Sequence, residues 1–200
     1  MAEERDREQG ASAQGRPRSG QVHQAILQAA MAVLEQEGYR ATTIEAIAAR
    51  AGAGKKTIYR WWPSKAAIIL EALITGVEAN VPFPDTGSLR EDLLSYFEHS
   101  LPGLQDESGK LLRGLAAEAQ LDPEFAREFQ RVFIVPRREG LVALLKRAVQ
   151  RGELATDISV DALADMIYGA KWYRFLLYPA PLDAAFAQEI VELVFRLRVC

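Results

Sequence analysis

Two hundred residues, 49% hydrophobic and 26% charged, suit one large folded domain or two small ones with a sizeable core, and exclude a wholly disordered chain. A net charge of -3 and a pI of about 5.6 exclude a protein that coats nucleic acid indiscriminately. The single cysteine, Cys200, excludes an intrachain disulfide, and without a signal-peptide pattern or a long apolar run a cytoplasmic protein with no membrane association is expected.

Residues 1–19 mix acids and arginines with glycine, serine and proline, and carry too little apolar surface to offset ordering, so a disordered N-terminal arm is expected there. Helical periodicity then begins: Val22, Ile26, Ala29, Ala30 and Val33 share one face, and Gly38 is a stop. Thr42 and Glu45 read as a capping box that opens a second helix with Ile44, Ile47, Ala48 and Ala51 on one side. Gly52 and Gly54 turn the chain into a third helix from Lys55, which Pro63 ends. Ser64 caps a fourth helix carrying Ile68, Ile69, Leu73 and Val77 to about residue 81.

The run Val81-Pro82-Phe83-Pro84-Asp85-Thr86-Gly87 marks a domain boundary, giving an N-terminal domain over 20–80 and a C-terminal one over 81–200. Ser88 and Glu91 form another capping box, for a helix to about Leu101, and a loop over 102–109 leads to a helix near 110–120. Asp122-Pro123 is an N-cap with proline at the first helical position, starting a long segment that Pro136 should kink and Gly152 should end. Helices over 159–178 and 183–199 complete an all-α chain of nine or ten helices.

Charge is distributed unevenly over this plan. Arg40, Arg50, Lys55, Lys56, Arg60 and Lys65 face only Glu45 between residues 40 and 65, whereas residues 82–200 hold 14 basic against 18 acidic side chains. On a helix over 55–62, at about 100° per residue, Ile58 and Trp62 share one face while Lys56, Thr57 and Arg60 cluster opposite. Lys55, Tyr59 and Trp61 flank the two faces. A short helix so divided, entered by a glycine turn from another short helix, matches a helix-turn-helix over 43–62 whose second helix lies in the DNA major groove. Lys, Arg and Thr can bond base edges, and Lys, Tyr and backbone N–H groups can hold phosphates. The bland alternative for such a helix is a solvated surface with aromatic core; for Ile58 and Trp62 that core role is the expected one.

The stretches Gly38-Tyr39-Arg40-Ala41-Thr42-Thr43-Ile44, Ile47-Ala48, Ala51-Gly52 and Lys55-Lys56-Thr57-Ile58-Tyr59-Arg60-Trp61-Trp62-Pro63-Ser64-Lys65 closely resemble the N-terminal domain of TetR-family (tetracycline-repressor-like) transcriptional regulators. The resemblance covers residues 20 to about 80. It implies a homodimeric regulator that binds a palindromic DNA operator, with a helical C-terminal domain that takes a small apolar or amphipathic effector and dimerises through its last two helices. It implies further that Thr42 and Thr43 lie next to phosphate, that Gly54, Lys55, Lys56 and Thr57 begin the recognition helix, that Tyr59 and Trp61 are phosphate-side aromatics, and that Lys65 caps the fourth helix against the backbone. Three departures from the family pattern stand out: Ala53-Gly54 for the commoner Val-Ser, Lys56 for a frequent Gly, and Trp61-Trp62 for Tyr or His followed by Phe. The operator sequence therefore does not transfer from relatives.

In the C-terminal domain the aromatic residues Tyr96, Phe97, Phe125, Phe129, Phe133, Trp172 and Tyr173 are candidates for a ligand pocket, although such stripes are more often core. His99, Gln120, Lys171 and Arg174 are candidate polar partners. Phe186, Ile190, Leu193, Val194 and Leu197, with Leu163, Met166, Ile167 and Ala170, would suit a helix-pair dimer interface. No catalytic site, metal site or cofactor is expected: Ser108-Gly109-Lys110 lacks the rest of a phosphate loop, and His23 and His99 lie far apart without partners at metal-ligand spacing. The alternative to a specific regulator is a non-specific architectural DNA-binding protein, which the acidic remainder disfavours.

Overall fold

The computed structural model describes residues 16–75, 82–155, 157, 159–178 and 180–196. Most of the expected arm, the fourth helix beyond residue 75, and Leu197 to Cys200 lie outside the described residues. Every regular element described is helical, and the chain divides between Ala72 and Leu73 into two compact units. The expected boundary at residues 80 and 81 falls outside the description.

The first unit contains α1 (Arg16–Ala41), α2 (Ile44–Ala51), α3 (Lys55–Trp61) and most of α4 (Lys65–Thr75). Helical pairing runs to the end of α1, but Gly38 breaks the helical geometry with φ 76° and ψ 165°, so the expected stop is a kink. Ile26, Ala30, Ile47, Ile58 and Ile68 have no exposed surface and form one core with Trp62. Each fully buried Ile contributes about 1.5–3 kcal/mol by leaving water. Val22, at the outer end of the predicted stripe, is exposed. Gly52 ends α2 in the left-handed region at φ 61°, which a side-chain-bearing residue would resist.

The second unit contains α5 (Leu89–Ser100), a 3-10 turn (Pro102–Leu104), α6 (Glu107–Leu121), α7 (Pro123–Phe129), a π turn (Gln130–Ile134), α8 (Val135–Gln150), α9 (Val160–Leu176) and α10 (Ala184–Arg196). α5 packs on α8 and α10, α6 on α7, and α8 on α9. α6 begins earlier than expected, because the Asp106 carboxylate accepts the N–H groups of Ser108 and Gly109 as a cap. Pro136 falls in the first turn of α8, just beyond the π turn; lacking an N–H, it cannot continue the α-helical ladder, and the kink takes the form of a widened turn. Counted as one bent rod, α7, the π turn and α8 reduce the ten α-helices among the described residues to the lower figure the periodicity allows.

Candidate nucleic-acid interface and ligand cavities

The outer face of α3 is built from the inside. Ile58 is fully buried and Trp62 nearly so, which fixes the rotation of this short helix. The Trp62 indole N–H donates to Glu71 Oε2 at 2.6 Å, and Glu71 Oε1 lies 3.0 Å from His23 Nε2. The His23 ring sits 4.7 Å from the Trp62 ring and 5.4 Å from Trp61, tying α1, α3 and α4 together through three rings and one carboxylate. With the inner face locked, Lys56, Tyr59 and Arg60 are exposed and Thr57 is half-buried beside them. The Arg60 guanidinium lies 5.0 Å over the Trp61 ring, which orients it along the helix surface. Trp61 is half-buried and packs edge-on against Trp62, so it is as much a wall of the unit as a surface aromatic.

Three of the expected phosphate contacts have a different local setting. The cap of α2 is Thr43, whose side chain accepts the Ala46 N–H at 3.1 Å; the predicted box on Thr42 is one residue early. Thr42 is completely buried, and its hydroxyl donates to the Gly38 carbonyl at 2.8 Å, a second hydrogen bond to an oxygen that also accepts the Thr42 N–H at 3.1 Å. Lys65 does not stand out from the surface: its ammonium donates to the carbonyls of Tyr39, Thr42 and Arg40 at 2.8, 2.9 and 3.3 Å and lies 4.7 Å from the Tyr39 ring. It closes the C-terminal end of α1, where helix carbonyls converge and attract a cation. Lys55 is exposed and pairs with Glu45 at 3.0 Å, and that neighbour holds the Glu45 carboxyl below its usual range. Gly54 caps α3 without a side-chain bond, and a Cβ there would meet only the Thr57 hydroxyl at 4.0 Å.

Two of the cavities in the second unit, of about 860 and 610 Å³, share Phe133, Arg137, Tyr168 and Trp172 among their lining. The larger is apolar, with Ala116, Ala126, Phe129 and Leu176 among its lining, and Gln120 also faces it. The smaller carries more polar side chains, with Tyr96, His99, Ser100 and Lys171 beside Leu104 and Leu112 on its lining. Phe125 and Phe97 are buried core, stacked on Phe129 and against Tyr96 respectively, while Tyr173 is exposed and stacks on Tyr178. Arg174 donates to the Pro181 carbonyl at 2.9 Å and covers the Phe186 ring rather than lining the larger cavity. Lys171 is buried, donates to the Tyr96 hydroxyl at 2.7 Å and lies 4.9 Å from both the Tyr96 and Tyr168 rings. Burial, with Tyr168 nearby, holds the Tyr96 phenol well above the ordinary tyrosine range, so it remains a neutral hydrogen-bonding group.

The expected dimer stripe divides in two. Leu163, Ile167, Phe186 and Val194 are buried within the chain, whereas Met166 and Leu193 are exposed. Met166, Tyr173 and Leu177, with half-buried Ala170, follow one face of α9 and its C-terminal end and form an apolar surface. Two residues were missed by sequence reasoning: His23 and Glu71. Helical spacing holds the signal, since His23 stands three residues before Ile26 and Glu71 three after Ile68, each on the buried side of its helix. Among the described residues no group of acidic, histidine or cysteine side chains could hold a metal, and no helix is long and apolar enough to cross a membrane.

Comparison with known proteins adds findings of three kinds. The family model for bacterial regulatory proteins of the tetR family matches residues 26–72, and that for the tetracyclin repressor-like C-terminal domain matches residues 83–194. The HTH-type transcriptional regulator YdeS of Bacillus subtilis is 34% identical over 185 residues, covering 92% of this chain and 93% of that protein. Among solved structures, the TetR family transcription regulator SCO0332 is 32% identical with a TM-score of 0.74, over 90% of this chain and 99% of that one. Thermus thermophilus FadR in complex with lauroyl-CoA is 21% identical with a TM-score of 0.69, over 89% and 95%, a likeness of fold.

Proposed function

The chain belongs to the TetR family of bacterial regulatory proteins, DNA-binding transcriptional regulators rather than enzymes, and from that premise we propose a ligand-responsive repressor that binds a palindromic operator as a homodimer. The observation that carries the DNA half of this reading is the rotation of α3: Ile58 and Trp62 are sealed inside, so Lys56, Thr57 and Arg60 are presented together. Lys56 and Arg60 are the base-reading cations, with Thr57 beside them, and Lys55, Tyr59 and the Thr43 end of α2 face the phosphates. Thr42 and Lys65 contribute by holding the α1–α2 corner in shape, and Gly54 by its open approach. Residues 20–80 carry this activity and residues 81–200 the effector and dimer functions.

A dimer formed through the exposed face of α9 and Leu193 of α10 would relate its two recognition helices by a two-fold axis, the symmetry that a palindromic operator with half-sites about 34–36 Å apart requires. The effector site is the apolar cavity, with Phe129, Phe133 and Trp172 as its aromatic walls, Gln120 as a polar group, and Tyr96 behind the shared partition. Its size suits a compact organic molecule. Thermus thermophilus FadR, a repressor of the same fold, is seen bound to lauroyl-CoA, which supports an acyl-type or similarly amphipathic effector here. An effector that binds one dimer geometry better than the other shifts the operator affinity by that difference and no more.

Mobility-shift titration of the DNA flanking its own gene, against random competitor, tests the reading. A regulator should prefer one short palindrome by a factor on the order of 1,000 or more. Equal binding of all sequences would instead make it an architectural protein, and failure of every candidate effector to weaken the complex would remove the ligand response.

A further inference from the structure

α3 is seven residues long, too short to hold its own shape, and Gly54 opens it without a side-chain cap, so its orientation rests on what its inner face touches. Two residues supply that face. Ile58 is fully buried and offers only non-directional apolar contact, which resists withdrawal of the helix but not its rotation. Trp62 is different. It stands at the C-terminal end of α3, 3% exposed, and carries an indole N–H that a phenylalanine ring in the same core would lack. A buried N–H must find an acceptor, and here the acceptor is one atom, Glu71 Oε2 at 2.6 Å. The other oxygen of that carboxylate lies 3.0 Å from His23 Nε2, and the His23 ring lies 4.7 Å from the Trp62 ring, so the acceptor is itself held from α1.

Resting on the reading of α3 as the recognition helix, we propose that Glu71 is a positioning residue for sequence discrimination: it fixes the rotation of α3 through the Trp62 indole, with His23 steadying its carboxylate. Magnitudes separate this from a general stabilising role. Side-chain ends stand about 5–6 Å from a helix axis, so a turn of roughly 10° moves them by about 1 Å. A base-edge hydrogen bond of about 2.9 Å stretched by that much is no longer a bond. The attraction between a cation and a phosphate about 4 Å away falls by only about a fifth over the same displacement. Freed rotation therefore erases the reading by Lys56, Thr57 and Arg60 and spares the phosphate contacts, whereas loss of fold weakens both alike.

Full-length protein titrated by fluorescence anisotropy against an operator selected from random duplexes, and against a scrambled duplex of equal length, tests this. Glu71→Ala and Trp62→Phe should each lower the ratio of selected to scrambled affinity by about tenfold or more, with scrambled affinity within about twofold and the log–log salt slope unchanged. Glu71→Gln should keep most of the ratio, because its amide oxygen still accepts from the indole and its NH2 meets the imidazole in the other tautomer. Combining Glu71→Ala with Trp62→Phe should lower the ratio no further than the worse single change, as expected of two ends of one bond. Thermal melts check that each variant is folded at the assay temperature, and Trp62→Phe, which keeps a ring in the core, decides the matter if Glu71→Ala is not. An unchanged ratio in the folded variants, equal losses on both duplexes, no rescue by Glu71→Gln, or additive losses in the double variant would each overturn the proposal. A wild type without a preferred sequence overturns the recognition-helix reading and this proposal together; discrimination that depends on Lys56 but not on Glu71 overturns this proposal alone.

Discussion

The ammonium of Lys65 lies 2.9 Å from the carbonyl oxygen of Thr42, across the corner between α1 and α2, and the Thr42 hydroxyl in turn closes the Gly38 carbonyl. The two residues therefore hold the α1–α2 corner from both sides. Lys65→Met should lower unfolding free energy by about 1.5–3 kcal/mol, the range for hydrogen bonds to a charged group. The log–log salt slope of DNA binding should stay as it is, since no phosphate contact is lost. Denaturant titration and salt-dependent binding check the two halves, and a slope shallower by about one unit would return Lys65 to the phosphate rim.

Lys56 is exposed on the outer face of α3, and no bond to it is seen among the described residues. Lys56→Ala should relax discrimination at one base position by about 1–3 kcal/mol while leaving stability unchanged. Binding to operator variants and a thermal melt of the same sample provide the measurement.

Glu45 and Lys55 form an exposed pair at the entrance to α3. The Glu45 carboxyl is lowered chiefly by the hydrogen bond from Lys55, then by a backbone N–H, so the pair adds stability above the ordinary pKa of 4.5 and loses it as pH falls through the lower folded value. Glu45→Gln should flatten that part of the acid limb. It should also tighten binding to all DNA sequences alike, because Lys55 no longer has to leave a carboxylate. Acid titration of stability and competition assays would show either effect, and sequence-selective tightening would contradict it.

Gly169 lies on α9 at the wall of the larger cavity, and a Cβ built there meets nothing within 4 Å. Gly169→Ala should raise stability by about 0.5–1 kcal/mol by reducing the freedom of the unfolded chain. Gly169→Leu should fill the wall: operator affinity stays, and whichever compound releases the wild-type complex should be needed at about tenfold higher concentration or more. Thermal melts and release titrations distinguish the two substitutions.

Asp92 has no exposed surface and accepts from the Thr86 N–H and hydroxyl at 2.7 and 2.8 Å, with Arg151 at 3.2 Å. Asp92→Ala should cost about 3 kcal/mol, the low end for breaking a buried pair, because Arg151 retains Asp85 and Glu153. Urea unfolding measures it, and a loss under about 1 kcal/mol would mean that the cluster behaves as a surface pair.

Local chemistry in the chain determined most of the fold. Gly52, Pro63, Ser88 and Asp122-Pro123 each act within three or four residues, so their effect on helix ends is readable without knowing what packs where, whereas Gly38, expected as a stop, kinks α1. The same locality made the inner and outer faces of α3 readable, since a helical period alone separates Ile58 and Trp62 from Lys56, Thr57 and Arg60. The specific run from Gly38 to Lys65 marked the family. Tertiary structure decided everything that depends on a partner distant in sequence. Lys65 looks like a surface cation until the Tyr39 and Thr42 carbonyls, more than twenty residues away, are brought to it. His23 and Glu71 acquire meaning only when α1 and α4 meet Trp62. An aromatic stripe in a helix has the same spacing whether it fills a core or walls a cavity, so only the packing of α6 to α9 separated Phe125 from Phe129 and Phe133, and sent Tyr173 outward while Lys171 turned in.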